Sequence, residues 1–323
     1  MRRQDLELVH FQLTRNCNLR CWFCGQWGKK GFFREGSGVP MEYEDWLALG
    51  SELATLPQKP DIILWGGEPL MYPRFDELAG QLHAMGFRLG IVTNGTLINR
   101  HVEVLRAFFA RIYVSLDGPE ALHDSIRGQG VFRKVAENLL LLRGGNAKIA
   151  INTVLTPALL ENLDGALDAF APLGPDEVLL QEMIGLSAGE VECYRRWLQE
   201  NFAQEAKEIA SWEGGGQWNP KAEEIIAETV KKRRDLFQVA YLPHGAACGK
   251  HCGAPRHHAH VTWKGSVCFC TDFYDFSAGN VREKPLLDIL EGENAEVFRR
   301  ETENGGCPTC DHCSWRGSES FRL

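Results

Sequence analysis

Three cysteines near the start of the chain, Cys17, Cys21 and Cys24, are the first residues whose types and spacing could do chemistry. In the pattern Cys-x3-Cys-x2-Cys, one loop can present three thiolates to one centre. Thiolates are soft ligands that select iron–sulfur clusters or zinc. On a four-iron cluster, three of them leave one iron open to an added ligand. Zinc in a structural site takes four protein ligands, often as two CxxC pairs. A set of buried structural thiols is the third reading the spacing allows.

A second group is larger. Cys248, Cys252, Cys268, Cys270, Cys307, Cys310 and Cys313 make up seven of the eleven cysteines, and Cys193 stands alone between the groups. A reducing compartment disfavours disulfides, so clustered cysteines there mark metals or catalysis. An odd total also argues against a full disulfide framework. His257, His258 and His260 stand close by and either line a groove or offer imidazole ligands.

The elements that must position these residues read as alternating strands and helices over residues 6–182. Candidate strands are Leu8–Thr14, Asp61–Trp65, Arg88–Thr93, Arg111–Leu116, Lys148–Leu155 and Glu177–Gln181, each an apolar or β-branched run bounded by turn formers. Helical spacing marks Met41–Leu56, Arg74–Met85, Asn99–Phe109, Val131–Arg143 and Asn162–Phe170. Such βα units predict a parallel sheet with right-handed crossovers. Six units fit the length better than the eight of a complete barrel. The cysteine loop directly follows the first strand, so it faces the C-terminal mouth of the sheet, where parallel α/β sites are built.

Residues 186–236 turn helical, with a loop tip at Gly214-Gly215-Gly216. From 244 the chain becomes Cys/His/Gly-rich. A hairpin pattern runs His258–Trp263, turn Lys264-Gly265, then Ser266–Cys270, and a helix from about Leu286 to Arg300 precedes the closing cysteines. The ranges 1–185, 186–243 and 244–323 are therefore read as an α/β barrel, a helical connection and a cysteine-rich extension.

Composition excludes some classes. The net charge of −8 gives no basic excess for nucleic acid. Lys231-Lys232-Arg233-Arg234 reads as a solvated helix end. Met1-Arg2-Arg3-Gln4-Asp5 leads into a stretch too short and polar for a secretory signal, and no apolar run reaches the ~20 residues of a membrane span. The chain is read as cytoplasmic, with no membrane partner.

Further motifs lie on strand ends. The first cluster reads Cys-x3-Cys-x-aromatic-Cys, with Phe23 before its last cysteine. Gly66-Gly67-Glu68-Pro69 follows the second strand, Thr93-Asn94-Gly95 ends the third, and Ser115-Leu116-Asp117-Gly118 ends the fourth. His123-Asp124 and Ile126-Arg127-Gly128 come next. In this order the set resembles the radical S-adenosylmethionine (SAM) superfamily. The resemblance implies an α/β fold, a partial (β/α)6 TIM-type barrel. It implies a [4Fe-4S] cluster on Cys17, Cys21 and Cys24 whose open iron binds the amino and carboxylate groups of SAM. An electron from a donor such as flavodoxin or ferredoxin then yields methionine and a 5′-deoxyadenosyl radical that takes hydrogen from substrate. Gly66 and Gly67 would let backbone approach the ligand, with Glu68 at the methionine ammonium. Asn94 would bind cofactor or substrate, Ser115 ribose or carboxylate, and Arg127 the carboxylate by its fork.

Cys252-x12-Gly265-x4-Cys270, then Ala278-Gly279-Asn280-Val281 and Leu286–Leu290, then Cys310-x2-Cys313, resembles the SPASM/twitch domains. The resemblance implies a small C-terminal twitch/SPASM-like extension holding at least one auxiliary iron–sulfur cluster on Cys252, Cys270, Cys310 and Cys313. Cys307, with Cys310, is the alternative closing pair, and Ser314-Trp315-Arg316-Gly317 resembles the aromatic tail after the last pair. The one-cluster type is expected, leaving Cys248, Cys268 and Cys307 as plain thiols or parts of an atypical second cluster.

The resemblance favours dehydrogenation or epimerisation of a small molecule of sugar or aminocyclitol type. Cys193 is the candidate hydrogen donor for epimerisation, and Glu182, or else Asp117, the candidate base. Oxidative modification of a peptide is the alternative, disfavoured because the chain starts almost at its first strand and leaves no room for a leader-binding domain. An iron–sulfur carrier or scaffold and a zinc-stabilised binding module are the readings outside radical enzymology.

Overall fold

The computed structural model describes residues 5–34, 38–214, 221–233, 236–243, 252–303, 305 and 307–313. Met1–Gln4, Gly215, Gly216, Arg234, Cys248 and the tail at 314–317 lie outside the described residues.

Six strands form where expected: β1 (Leu8–Thr14), β2 (Asp61–Gly66), β3 (Leu89–Thr93), β4 (Phe109–Ser115), β5 (Lys148–Leu155) and β6 (Glu177–Glu182). Each pairs in parallel with the next. The crossovers carry α1 (Tyr43–Leu53), α2 (Phe75–Ala84), α3 (Val102–Phe108), α4 (Glu120–Arg127), α5 (Val131–Leu141), α6 (Pro157–Glu161) and α7 (Leu163–Phe170). Val9, Phe11, Ile62, Leu64, Ile91 and Ile112 face these helices, while Leu8, Ile63, Tyr113, Ala150 and Leu179 pack inside the curve of the sheet. Burial on both faces is what makes parallel strands read as nearly continuous apolar runs. Helix α1 turns Trp46, Leu49 and Leu53 onto the sheet and starts at a reciprocal Glu42–Asp45 cap.

Beyond β6 the structure departs from expectation. Helices α8 (Ala188–Phe202) and α9 (Ala222–Arg233) form, but β7 (Gln238–Leu242) follows them and adds in parallel to β6. After the short α10 (Ala254–His257), the first hairpin strand, β8 (His258–Val261), pairs in parallel with β1. The hairpin continues antiparallel into β9 (Ser266–Cys268) and β10 (Gly279–Asn280). One sheet therefore runs β10-β9-β8-β1-β2-β3-β4-β5-β6-β7. Six barrel strands have a seventh and eighth added at opposite edges, and the cysteine-rich region is hydrogen-bonded into the barrel rather than hung from it.

The single helix expected over 286–300 is two, α11 (Leu286–Leu290) and α12 (Glu293–Glu303), broken at Gly292. The Glu52 carboxylate on α1 accepts from Leu286 N at 3.0 Å and Leu287 N at 2.8 Å, fixing α11 to the barrel. Among the described residues no helix is long and apolar enough to cross a membrane.

Candidate active site at the mouth of the parallel sheet

The cysteine loop leaves β1 and is clamped at once to the turn after β2. Gly67 N donates to Thr14 O at 2.8 Å, and Glu68 N to Asn16 O at 2.7 Å. A Cβ on Gly67 would stand 2.5 Å from Arg15 O and nearer still to Asn16 O, and one on Gly66 would press on Thr14 O. The two glycines are thus required by the loop's own backbone.

Glu68 is completely enclosed. Its carboxylate accepts from Thr93 Oγ1 at 2.7 Å, Leu70 N at 3.1 Å and Asn94 N at 2.7 Å, and burial pushes its pKa up to about 7. Its side chain ties the β2 turn to the end of β3. Asn94 braces the loop instead. Its Nδ2 donates to Asn18 Oδ1 at 2.9 Å and lies 3.8 Å from Cys17 Sγ.

Two thiols receive backbone donors, Cys17 Sγ from Leu19 N and Cys24 Sγ from Trp27 N, each at 3.4 Å. Burial raises the Cys17 thiol to about 12 and also raises Cys21, against the pull of Arg127. Among the described residues no three His, Cys, Asp or Glu side chains converge where one metal ion would sit. A cluster is met at its corners, and three thiols spread along one loop with N–H donors aimed at sulfur suit it better than a single zinc.

Arg127, on α4, gives its Nε to Asp117 Oδ2 at 2.5 Å, and Asp117 Oδ1 also accepts from Val154 N at 3.1 Å. That pair is almost fully buried and removes Asp117 as a base. Arg127 lies beside Phe23, 5.8 Å from its ring. Ser115 ends β4 in register with Asn152 on β5.

Beside these groups lies a cavity of about 220 Å3, whose lining does not include Cys17, Gly66, Gly67, Glu68, Asn94 or Ser115. Cys21, Cys24, Arg127 and Glu182 line it, together with Phe23, Trp65, Gln181, Trp212, Asp272 and Tyr274. Sequence reasoning missed Trp65, Trp212, Asp272 and Tyr274. Of these only Trp65 had a signal, its place immediately before the two glycines. Glu182 accepts a hydrogen bond from the Tyr241 hydroxyl on β7. Cys193 does not reach the site. It is exposed on α8, whose buried face is Val191, Tyr194, Trp197 and Leu198, and it lines none of the cavity. Its expected part as hydrogen donor is corrected by that orientation. His257 turns outward to Asp5 O, 3.1 Å, and Glu7, 3.4 Å, while His260 stacks on His10.

The second thiol group gathers behind Tyr194. Burial, then Cys307, Cys313, Cys252 and Cys268 in turn, drive the Cys270 thiol well up. A hydrogen bond with Cys307, burial, and the nearby Cys270 and Cys252 raise Cys310. Successive turns, Cys310 N to Cys307 O at 3.2 Å and Cys313 N to Cys310 O at 3.3 Å, link the three cysteines through their backbone. Cys252, Cys270, Cys307, Cys310 and Cys313 therefore share one neighbourhood. Cys268 is buried on β9, its thiol 3.6 Å from Cys270 O.

Residues 11–176 match the radical SAM superfamily, and residues 252–314 match SPASM, an iron–sulfur cluster-binding domain. The AdoMet-dependent heme synthase of Methanosarcina barkeri is 29% identical over 94% of this chain and 88% of its own length. The Fe-coproporphyrin III synthase of the same organism is 24% identical over 95% of this chain and 80% of its own. The solved structure of anSMEcpe with bound AdoMet shares the fold at a TM-score of 0.69 and 16% identity, covering 98% of this chain and 92% of that one. A [4Fe-4S] cluster, SAM and auxiliary iron–sulfur binding come with these two matches. Since the first match spans half the chain and holds the three loop cysteines, and the second holds every described cysteine of the later group, this chain belongs to the radical SAM superfamily and carries a SPASM-type cluster-binding region.

Proposed function

We propose that this chain oxidises an aliphatic side chain of a tetrapyrrole-type small molecule. The observation that carries the reading is the cavity's wall. Phe23, Trp65, Trp212 and Tyr274 present flat aromatic surface next to the cysteine loop, which suits a flat, largely apolar substrate. The names of the two relatives, a heme synthase and an Fe-coproporphyrin III synthase, support the same class. The sugar or aminocyclitol expectation has no such support, and epimerisation loses its donor with Cys193 at the surface.

In this reading Cys17, Cys21 and Cys24 hold the first cluster. Backbone carbonyls of Gly66 to Glu68 take the methionine ammonium, Arg127 and Ser115 its carboxylate and ribose, and Asn94 keeps the loop in place. When bound, the cluster and SAM together supply a 5′-deoxyadenosyl radical that removes a hydrogen atom from substrate. The carbon left behind gives up one electron and one proton to become an alkene. Glu182, held by Tyr241, stands in the cavity wall to take the proton. Cys252, Cys270, Cys310 and Cys313 would hold one auxiliary cluster, which would supply an electron acceptor, with Cys307 a fifth thiol alongside. A flavodoxin or ferredoxin supplies the initiating electron.

The test is anaerobic turnover of reconstituted protein with SAM and dithionite. 5′-Deoxyadenosine is measured with coproporphyrin III, its iron complex, an aminocyclitol and a cysteine-containing peptide. A tetrapyrrole should stimulate 5′-deoxyadenosine formation and change in mass. Stimulation by the peptide or the aminocyclitol alone would overturn the reading.

A further inference from the structure

His123 and Asp124 stand side by side on α4, one turn before Arg127, and both are buried. The His123 ring folds back on the turn after β4, where its Nδ1 accepts from Asp117 N at 3.1 Å. An accepting Nδ1 puts the ring's proton on Nε2. Burial, then Arg127, lowers the ring to about 4, so it is neutral and Nδ1 keeps its lone pair. Nε2 has no hydrogen-bond partner among the described residues. A buried N–H left unmet destabilises a fold. Leucine would fill the same space without that cost, so what the imidazole adds is its acceptor.

That acceptor holds the backbone of the residue that aims Arg127. Asp117 is fully buried and takes Val154 N on Oδ1 at 3.1 Å and Arg127 Nε on Oδ2 at 2.5 Å. Its N–H is tied to His123 and its carboxylate to β5, so the oxygen offered to Arg127 is fixed in place. Asp124 secures the other end. Its carboxylate accepts from Gly130 N at 2.6 Å and Phe132 N at 2.8 Å, joining the end of α4 to the start of α5 just past Arg127. With Nε spent on Asp117, Nη1 and Nη2 remain, and among the described residues neither has a hydrogen-bond partner. Arg127 lines the cavity beside Cys21 and Cys24. Its two terminal nitrogens make the fork that takes a carboxylate in two parallel bonds.

We propose that His123 is a positioning residue for SAM, which acts through Asp117 to set the Arg127 fork for the SAM carboxylate. The inference rests on the reading of Arg127 as the group that takes that carboxylate, and deepens it by naming what aims the guanidinium. A free arginine side chain samples many rotamers and loses that freedom when it binds; one already held at Nε has lost it beforehand. Without the Nδ1 acceptor, Asp117 N is left unmet in the interior and the turn after β4 shifts to find a partner. The Asp117 carboxylate shifts with its backbone, and the guanidinium bonded to it follows.

The experiment is equilibrium dialysis of anaerobically reconstituted holoenzyme against SAM and against decarboxylated SAM, which keeps the sulfonium and ammonium groups and lacks the carboxylate. Arg127→Gln, His123→Leu and His123→Asn are compared with the parent. His123→Leu should weaken SAM binding about tenfold and leave the analogue and the iron content as in the parent. Its melting temperature should stay with the parent too, because the unmet Nε2 goes when Asp117 N becomes unmet. His123→Asn, whose Oδ1 stands where Nδ1 was, should bind SAM like the parent. Arg127→Gln should lose the same preference for SAM over the analogue. Parental SAM binding by His123→Leu, with the preference lost in Arg127→Gln, overturns the inference and leaves the Arg127 reading standing. Parental SAM binding by Arg127→Gln ends both. An equal fall for SAM and analogue, or an asparagine variant as weak as the leucine one, marks a packing role and overturns the inference as well. If His123→Leu does not load iron, His123→Gln, whose acceptor lies out at the Nε2 position, takes its place under the same outcomes.

Discussion

Replacing Gly67 by alanine tests whether the turn after β2 is a spacer for the cysteine loop. The new Cβ would lie 2.5 Å from Arg15 O, with Asn16 O closer still. Relaxed carbon–oxygen contacts begin at about 3.3 Å. Both obstacles are backbone atoms and cannot rotate away, so the loop must retreat by about an ångström. Retreat stretches the bonds from Gly67 N to Thr14 O, 2.8 Å, and from Glu68 N to Asn16 O, 2.7 Å. Each net hydrogen bond contributes about 1 kcal/mol, and overpacking costs about 1–3 kcal/mol. The reduced freedom of the unfolded chain returns only about 0.5 kcal/mol. The expected loss is about 3 kcal/mol, a large share of the 5–15 kcal/mol typical of a domain. At about 2–4 °C per kcal/mol, the melting temperature falls by about 10 °C. Cys17 directly follows Asn16, so iron at the first site and SAM cleavage should be lost while the second thiol group stays loaded. Thermal melting and anaerobic iron analysis read both effects. Gly189, the second residue of α8, is the control. A Cβ there meets nothing nearer than Ser187 Oγ at 3.9 Å, so alanine should be neutral or stabilise by up to about 1 kcal/mol. A Gly67→Ala protein that melts with the parent and keeps its iron would refute the clamp.

Cys21→Ala should abolish reductive SAM cleavage, and Cys270→Ala should lower iron by about four per chain while the first site stays filled; unchanged iron would strike Cys270 from the ligands. Cys193→Ala should leave turnover as in the parent, since the side chain is exposed on the outer face of α8, and a lost product would restore it to the site. Burial, then Asp275, raises Glu208 from an ordinary 4.5 to about 7 against the pull of Lys264, and its Oε2 has no hydrogen-bond partner among the described residues. A raised carboxyl favours the fold below 4.5 and loses that contribution as pH climbs through 7. Glu208→Gln should therefore flatten the decline in melting temperature between about pH 5 and pH 8, worth at most about 3 kcal/mol; parallel profiles for the two proteins would contradict this.

Which parts of this protein can be read from its sequence follows from the range of the interactions involved. The six barrel strands are legible because each is doubly buried and so locally apolar. Strand β7 is not, since Gln238, Val239, Ala240 and Tyr241 stay partly exposed at a sheet edge. Strand β8 hides for a different reason. Its partner β1 lies at the other end of the chain, and its lumen-facing residues are histidines, so it reads as half a hairpin. The cysteine spacing is local and places the cluster loop, but which atoms crowd Gly66 and Gly67 is a tertiary fact. Cys193 was readable in principle. Val191, Tyr194 and Leu198 recur at helical spacing and put position 193 on the opposite face, whereas nearness in sequence to β6 suggested the mouth. The cavity's aromatics come from β2, the turn after α8 and the segment after β9, and no spacing rule joins them. The shared sheet carries a mechanical consequence. Strand β8 is bonded to β1 on one side and to β9 on the other, so the strand that launches the first cysteine loop is one strand removed from the one that leads to Cys270. The boundary drawn at 244 separates two kinds of sequence, but hydrogen bonds cross it, and the geometry between the two thiol groups is fixed by the sheet rather than by a linker.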